Sequence, residues 1–318
     1  MINDPANAFT ALEAMLSAQS PSVVAAALAN TSPTNPDTTV PTPQPGECWL
    51  LRWDDTIALV VITRAFEEHL LVMPINVDPS AADETALVIP GTHAGFARDV
   101  AVFAMLETGI GPWVLYRPVT TLLTTDQVGQ VRTWMRQGDA AALPKGWRTG
   151  TPTRDDAHPR RMARHELADR IAALGEADWM EPAWSRHPDE QPASIGQVSL
   201  REIAAALGGP AQRALAIARG DVTATAEEQE KLRAAGIPLP KAPQPPVDVI
   251  AELDSPTQKV ALLTIATLRG TGEGPTRVTL AQAQYGLAAR RSSAQDRTVS
   301  NDVLLLRERI NDEIASTR

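Results

Sequence analysis

Cysteine is almost missing from this chain: Cys48 stands alone among 318 residues. A single thiol excludes an intrachain disulfide and any zinc site built from several cysteines, and it fits a reducing, cytoplasmic setting. Aromatic residues make up only 4%, so away from a few tryptophan-bearing runs the cores must close through alanine and leucine. Lysine is confined to Lys145, Lys231, Lys241 and Lys259, and arginine supplies the rest of the 29 basic groups. With the abundance of alanine, that usage is associated with GC-rich bacterial or phage genomes. No apolar run approaches the roughly 20 residues of a spanning helix, and the opening MINDPANAFT has no basic-then-apolar leader, so no membrane segment is expected. Also missing are a G-x-S-x-G nucleophile elbow and a phosphate loop; GTGEG at Gly270–Gly274 lacks the lysine and the preceding strand. No catalytic residue, cofactor or metal is assigned.

What is present is acidic and unevenly spread. The net charge is −9, and 43% hydrophobic residues suffice for true cores. Residues 1–150 carry 8 basic and 15 acidic groups, 151–240 carry 11 and 14, and 241–318 carry 10 and 9. Nucleic-acid affinity draws on phosphate neutralisation, so a chain of this balance must gather its basic groups on one face to bind DNA or RNA.

Composition shifts mark the domains. Residues 1–45 hold two short helices over 7–29, interrupted at Pro21, and then a Pro/Thr-rich linker. Residues 46–138 are β-rich: CWLLRW, IALVVIT, LLVMPI and ALVIP, beginning at Cys48, Ile57, Leu70 and Ala86, are strand-like runs between turns. AVFAML at Ala101 and WVLYRPV at Trp113 add two more, and Thr125–Met135 reads as a closing helix. Residues 139–157 are expected as a second linker, 158–236 as a helical domain, 237–248 as a Pro-rich spacer, and 249–318 as a C-terminal helical domain. The fold class is α+β: a small barrel-like N-terminal domain followed by mainly helical ones.

The densest local signals lie between Val198 and Leu232. Ser199 with Glu202 forms a capping box, in which each side chain satisfies an unpaired amide at a helix start. Ile203, Ala204 and Leu207 give an apolar face that Gly208-Gly209 ends, and Pro210 suits the first turn of a second helix carrying Ala214, Ile217 and Ala218. Gly220-Asp221 closes that helix, and Thr225 with Glu228 opens a third over Leu232. The stretch resembles the Cro/repressor-type helix-turn-helix family, with Ile203-Ala204, Leu207-Gly208 and Gly220 at that family's spacing. The resemblance implies a protein that binds double-stranded DNA as a homodimer, with the second helix in the major groove. On that reading Gln212 and Arg213 read bases, and Arg201 and Arg219 contact phosphates. The family also carries a helix just upstream; the nearest candidate here is His165–Leu174.

Residues 45–138 are similar to the MazF/PemK-type toxin barrel, a family of RNA-cleaving enzymes and their relatives. The similarity rests on Pro45-Gly46-Glu47-Cys48-Trp49-Leu50, Ala58-Leu59-Val60-Val61 and Pro74-Ile75. The family's arginine before the second strand and hydroxyl after the third are replaced here by Thr56-Ile57 and Asn76, with Arg52 and Arg64 nearby. The similarity thus implies a barrel kept for binding or sensing rather than cleavage.

Other candidates carry less. Arg290, Arg291 and Arg297 form a second basic surface for phosphates, and the final helix offers Val303, Leu304, Leu306 and Ile310 for subunit pairing. The N- or C-terminal helices are also candidates for docking a protein partner. His158, His165 and Asp169 share a helical face, yet His165-Glu166 lacks the second histidine of a zinc-protease motif, and a solvated surface is the plainer reading. Adjacent carboxylates, Asp83-Glu84 among them, read as turn and solubility residues. The leading expectation is a multi-domain DNA-binding regulator. The alternatives are a toxin–antitoxin-like or ribonuclease-related RNA-binding protein, and a non-enzymatic protein–protein adaptor.

Overall fold

A computed structural model describes residues 42–91, 99–181, 184, 199–218, 224–237, 245–291 and 299–316, with the backbone alone at 142, 226, 284–291 and 299–300. The helices expected over 7–29, the linker up to residue 41 and residues 238–244 of the Pro-rich spacer lie outside those residues. The chain is α+β and divides into two compact units: residues through Asp178 with Ser255–Val260, and Trp179–Asp254 with Ala261–Arg318.

The first unit is built on an antiparallel sheet. Its long strands are β1 (Glu47–Trp53), β2 (Thr56–Ala65), β3 (Leu70–Asn76) and β7 (Leu115–Thr121), and its short ones β4 (Leu87–Ile89), β5 (Val100–Val102), β6 (Thr108–Ile110) and β8 (Arg148–Thr149). The order is β7-β1-β2-β3-β5-β4-β8, with β6 also paired to β3. The expected barrel does not close, and both ends of the sheet explain why. At one edge β7 carries Pro118, which has no amide to offer, and its register against β1 shifts twice. At the other, β8 spans only two residues. Edges this short or proline-bearing do not template further pairing.

Every residue from Cys48 to Leu51 and from Ala58 to Thr63 is buried, which is why these strands read as continuous apolar runs rather than alternating ones. Pro74 lies inside β3 without breaking it. Its carbonyl accepts from the Phe103 amide at 2.9 Å. Carbonyl and amide of one residue point to the same side of an antiparallel strand, so the missing N–H falls in the gap between the β5 and β6 pairings.

Gly46 joins the start of β1 to the end of β7. Its amide donates to Ile62 O at 2.7 Å and its carbonyl accepts from Leu122 and Leu123 at 2.9 and 3.0 Å. Its φ is +92°, and an added Cβ would lie 2.0 Å from Leu123 O, so only glycine fits.

Helix α1 (Thr125–Gln137) follows as expected, opened by a Thr124/Gln127 capping box and closed by left-handed Gly138, with Val128, Val131 and Trp134 buried. The expected linker 139–157 is instead folded onto the sheet. It supplies β8, the Gly150 amide bonds to Ala86 O and the Thr151 amide to Ala82 O, at 2.9 and 3.1 Å. A Cβ on Gly150 would sit 2.1 Å from Asp83 O.

Helix α2 (Pro159–Glu176) also departs from the expected grouping within 158–236. It packs on β2, β6 and the 3-10 turn Pro79–Ala81, burying Leu167, Ile171 and Leu174. Leu167 sits in a cluster with Ala82, Ala86, Val88, Ala101 and Phe103. Lys259, fully buried, belongs to this unit too: Nζ donates to Trp113 O at 2.8 Å and lies 4.9 Å from the Trp53 ring centre.

The second unit holds α3 (Leu200–Leu207), α4 (Ala211–Ala218), α5 (Ala226–Ala234), α6 (Val247–Asp254), most of α7 (Lys259–Arg269), α8 (Glu273–Arg291) and α9 (Val299–Ser316). Helices α6, α8 and α9 pack together around Val249, Leu253, Leu280, Leu306 and Ile310. A buried ionic group lies within them: Arg277 donates to Glu273 and to Leu253 O, and Asp254 accepts from Trp179 Nε1 at 2.6 Å. Because Leu306 and Ile310 are spent inside this unit, the subunit-pairing seam expected on the last helix is reduced to half-buried Val303 and to Leu304, 53% exposed. Among the described residues, no helix is long and apolar enough to cross a membrane.

Candidate nucleic-acid interface

Helices α3, α4 and α5 close around their own core of Ile203, Leu207, Ala214, Ile217, Ala224, Leu232 and Ile237. The Ser199 hydroxyl accepts from the Glu202 amide, and the Glu202 carboxylate accepts from the Ser199 amide at 2.8 Å. Helix α3 ends on Gly208 at φ +63°, a conformation that costs a side-chain-bearing residue about 1 kcal/mol or more. Pro210 sits one residue earlier than a first-turn proline: its carbonyl accepts from Arg213 and Ala214 at 2.9 and 3.2 Å, so it caps α4 from outside. The Thr225/Glu228 box opens α5. Gly220-Asp221 lies outside the described residues.

The proposed contact residues fare differently. Gln212 is exposed in the first turn of α4, and Arg201 is exposed in the first turn of α3. Arg213 is not presented in the same way. Its Nε donates to Glu228 Oε1 at 2.9 Å and its Nη2 to Oε2 at 2.8 Å. That two-pronged pair, together with the Thr225 amide, holds the Glu228 carboxyl down to about 2, well below the usual range. Arg219 and Arg297 lie outside the described residues; Arg290 and Arg291 fall at the end of α8, where only the backbone is described.

The charge around the hairpin is balanced. Over 199–218 and 224–237 there are four basic residues, Arg201, Arg213, Lys231 and Arg233, and four acidic ones, Glu202, Glu227, Glu228 and Glu230. Lys231 pairs with Glu227 at 2.7 Å, and Arg233 pairs with Glu230. Arg201 makes no ion pair among the described residues. His165–Leu174, the candidate upstream helix, is part of α2, which packs on the sheet of the first unit.

The positions singled out on the sheet do not converge. Arg52 lies opposite Ile57, and Arg64 opposite Leu71, seven residues further along β2. At about 3.3 Å per residue the two are roughly 23 Å apart, too far to flank one phosphate. Arg52 Nε donates to Asp54 O at 3.0 Å, and Asn76 Oδ1 accepts from the Asp78 amide at 2.9 Å in a local turn. Cys48 is fully buried, and burial pushes its thiol far up, so it is no nucleophile. His158 caps α2 through Nδ1, which accepts from the Arg160 amide at 3.2 Å; His165 and Asp169 are exposed. Among the described residues, no three His, Cys, Asp or Glu side chains gather closely enough to hold a metal.

Sequence reasoning missed a charged clasp between the sheet and α2. Asp83 is fully buried, not a solubility residue, and Arg164 approaches it at 3.6 Å. Glu84 accepts from Arg161 Nη2 at 3.0 Å and from the Thr153 amide at 3.1 Å; its own backbone amide, then the Thr153 amide and the Arg161 charge, draw its carboxyl below the usual range. A second tie joins Arg132 of α1 to Glu107 and Thr63. Both tie separate parts of the first unit: Arg161 and Arg164 join α2 to the turn before β4, and Arg132 joins α1 to β2. Compared with known proteins, the chain matches no family model and no curated sequence.

Proposed function

We propose that the chain is a cytoplasmic, sequence-specific DNA-binding regulator, in which residues 199–237 dock as a helix-turn-helix and the sheet unit senses a ligand or binds a protein. One observation carries the reading: two capped helices meet through a left-handed glycine around a core of their own, leaving Gln212 exposed in the first turn of the second helix. An exposed glutamine there suits the two-pronged pairing of an amide with adenine. Arg201 is the described phosphate clamp, and a homodimer supplies the second half-site that one short hairpin needs for affinity.

The test is fluorescence-anisotropy binding to a duplex from the gene's own upstream region, beside an unrelated duplex. Gln212→Ala is expected to cost about 1–3 kcal/mol on the upstream duplex and little on the other, whereas Arg201→Ala weakens both alike. Absence of binding to either duplex sinks the reading. A second reading, a protein–protein adaptor, is favoured by the balanced, ion-paired surface of the hairpin; on it, no duplex binds.

A further inference from the structure

Arg213 and Glu228 lie on successive helices of the hairpin group, 15 residues apart, and meet through two parallel hydrogen bonds of 2.9 and 2.8 Å. The guanidinium remains about a third exposed and the carboxylate about a fifth, so the pair sits at the surface, where an incoming group can compete for it. Glu228 is itself fixed: Thr225 donates to it from its amide at 2.7 Å, so the carboxylate cannot follow Arg213 outward. Arginine must therefore leave the carboxylate to reach a duplex.

We infer that Glu228 is a specificity-determining gate on Arg213, holding its guanidinium away from the duplex until a guanine displaces the carboxylate. Guanine offers two acceptors side by side on its major-groove edge, O6 and N7, and so replaces both hydrogen bonds that Glu228 gives up; the other bases do not present two acceptors there. A guanine in register with Arg213 replaces both hydrogen bonds and so opens the pair at lower cost than any other base, which leaves Arg213 on Glu228. Discrimination then comes from the intramolecular competitor as well as from the contact. This inference rests on the DNA-binding reading above.

The experiment compares the full-length wild type with E228Q, E227Q, R213A and the R213A/E228Q double variant, using the labelled upstream duplex and an unrelated duplex. Glutamine preserves the capping box, and matching melting curves check that each variant is folded. E227Q removes the same unit of negative charge one residue away and releases Lys231 in place of Arg213, and so measures the effect of lost charge and of a freed cation that is not Arg213. The expected result is that E228Q binds the unrelated duplex about tenfold more tightly than the wild type, well beyond E227Q. Its preference for the upstream duplex should narrow, and the gain should vanish in the R213A background. If the wild type binds but E228Q gains no more than E227Q, or the gain survives R213A, the gate is overturned while the DNA-binding reading stands. If no variant binds either duplex, both fall.

Discussion

Gly46 shows how much of this fold rests on single positions. Its left-handed φ of +92° and the 2.0 Å approach of Leu123 O leave no room for a methyl group where β1 and β7 are spliced. Gly46→Ala is expected to destabilise the protein by more than about 2 kcal/mol, from backbone strain plus displacement of the carbonyl. Urea unfolding followed by tryptophan fluorescence measures it, and a change below about 0.5 kcal/mol would remove the argument. The strand that follows Gly46 could be read from its apolar run beginning at Cys48, because that signal is local. Asp83-Glu84 could not be read correctly, because Arg161 stands 77 residues beyond Glu84 and nothing in the neighbouring sequence announces it. The same limit applies to Arg213: its helix position was legible, but its capture by Glu228 across a turn was not.

At the scale of elements, the capped ends were the most readable features, since a capping box needs only residues three apart. Ser199/Glu202 and Thr225/Glu228 both form as the spacing predicts. The partner of a helix is a different matter. Leu167, Ile171 and Leu174 announce one apolar face on α2, but a period of 3.6 does not say which surface receives it. That face meets the sheet. Leu167→Ala is therefore expected to cost about 2–4 kcal/mol in unfolding experiments while leaving the affinity for the upstream duplex unchanged in protein that remains folded. If affinity falls in parallel, α2 supports the hairpin after all. The expected barrel failed for a related reason: strand runs were visible, but closure depends on how the two edges end, and the two-residue β8 gave too little pattern to be found.

For the whole molecule, charge decides how DNA binding must look. A chain of net charge −9 repels the duplex at long range, so the attractive term has to come from a few clamps close to the backbone. Three of the four described cations of the hairpin are engaged with glutamates, which leaves Arg201 and, outside the described residues, Arg219. Each phosphate neutralised contributes roughly −0.9 to the slope of log affinity against log salt, so two clamps on each protomer of a dimer predict a slope of about −4. Titrations on the upstream duplex between about 50 and 200 mM salt measure it, a range over which so shallow a slope loses only a few hundredfold in affinity. A slope near −9 would bring Arg290, Arg291 and Arg297 onto the backbone as a second surface. A slope near zero would remove the phosphate contacts altogether and turn the neutral hairpin toward a protein partner. The steepness thus separates a compact recognition element from an extended basic interface, a distinction that composition leaves open because the arginines of both lie in one acidic chain.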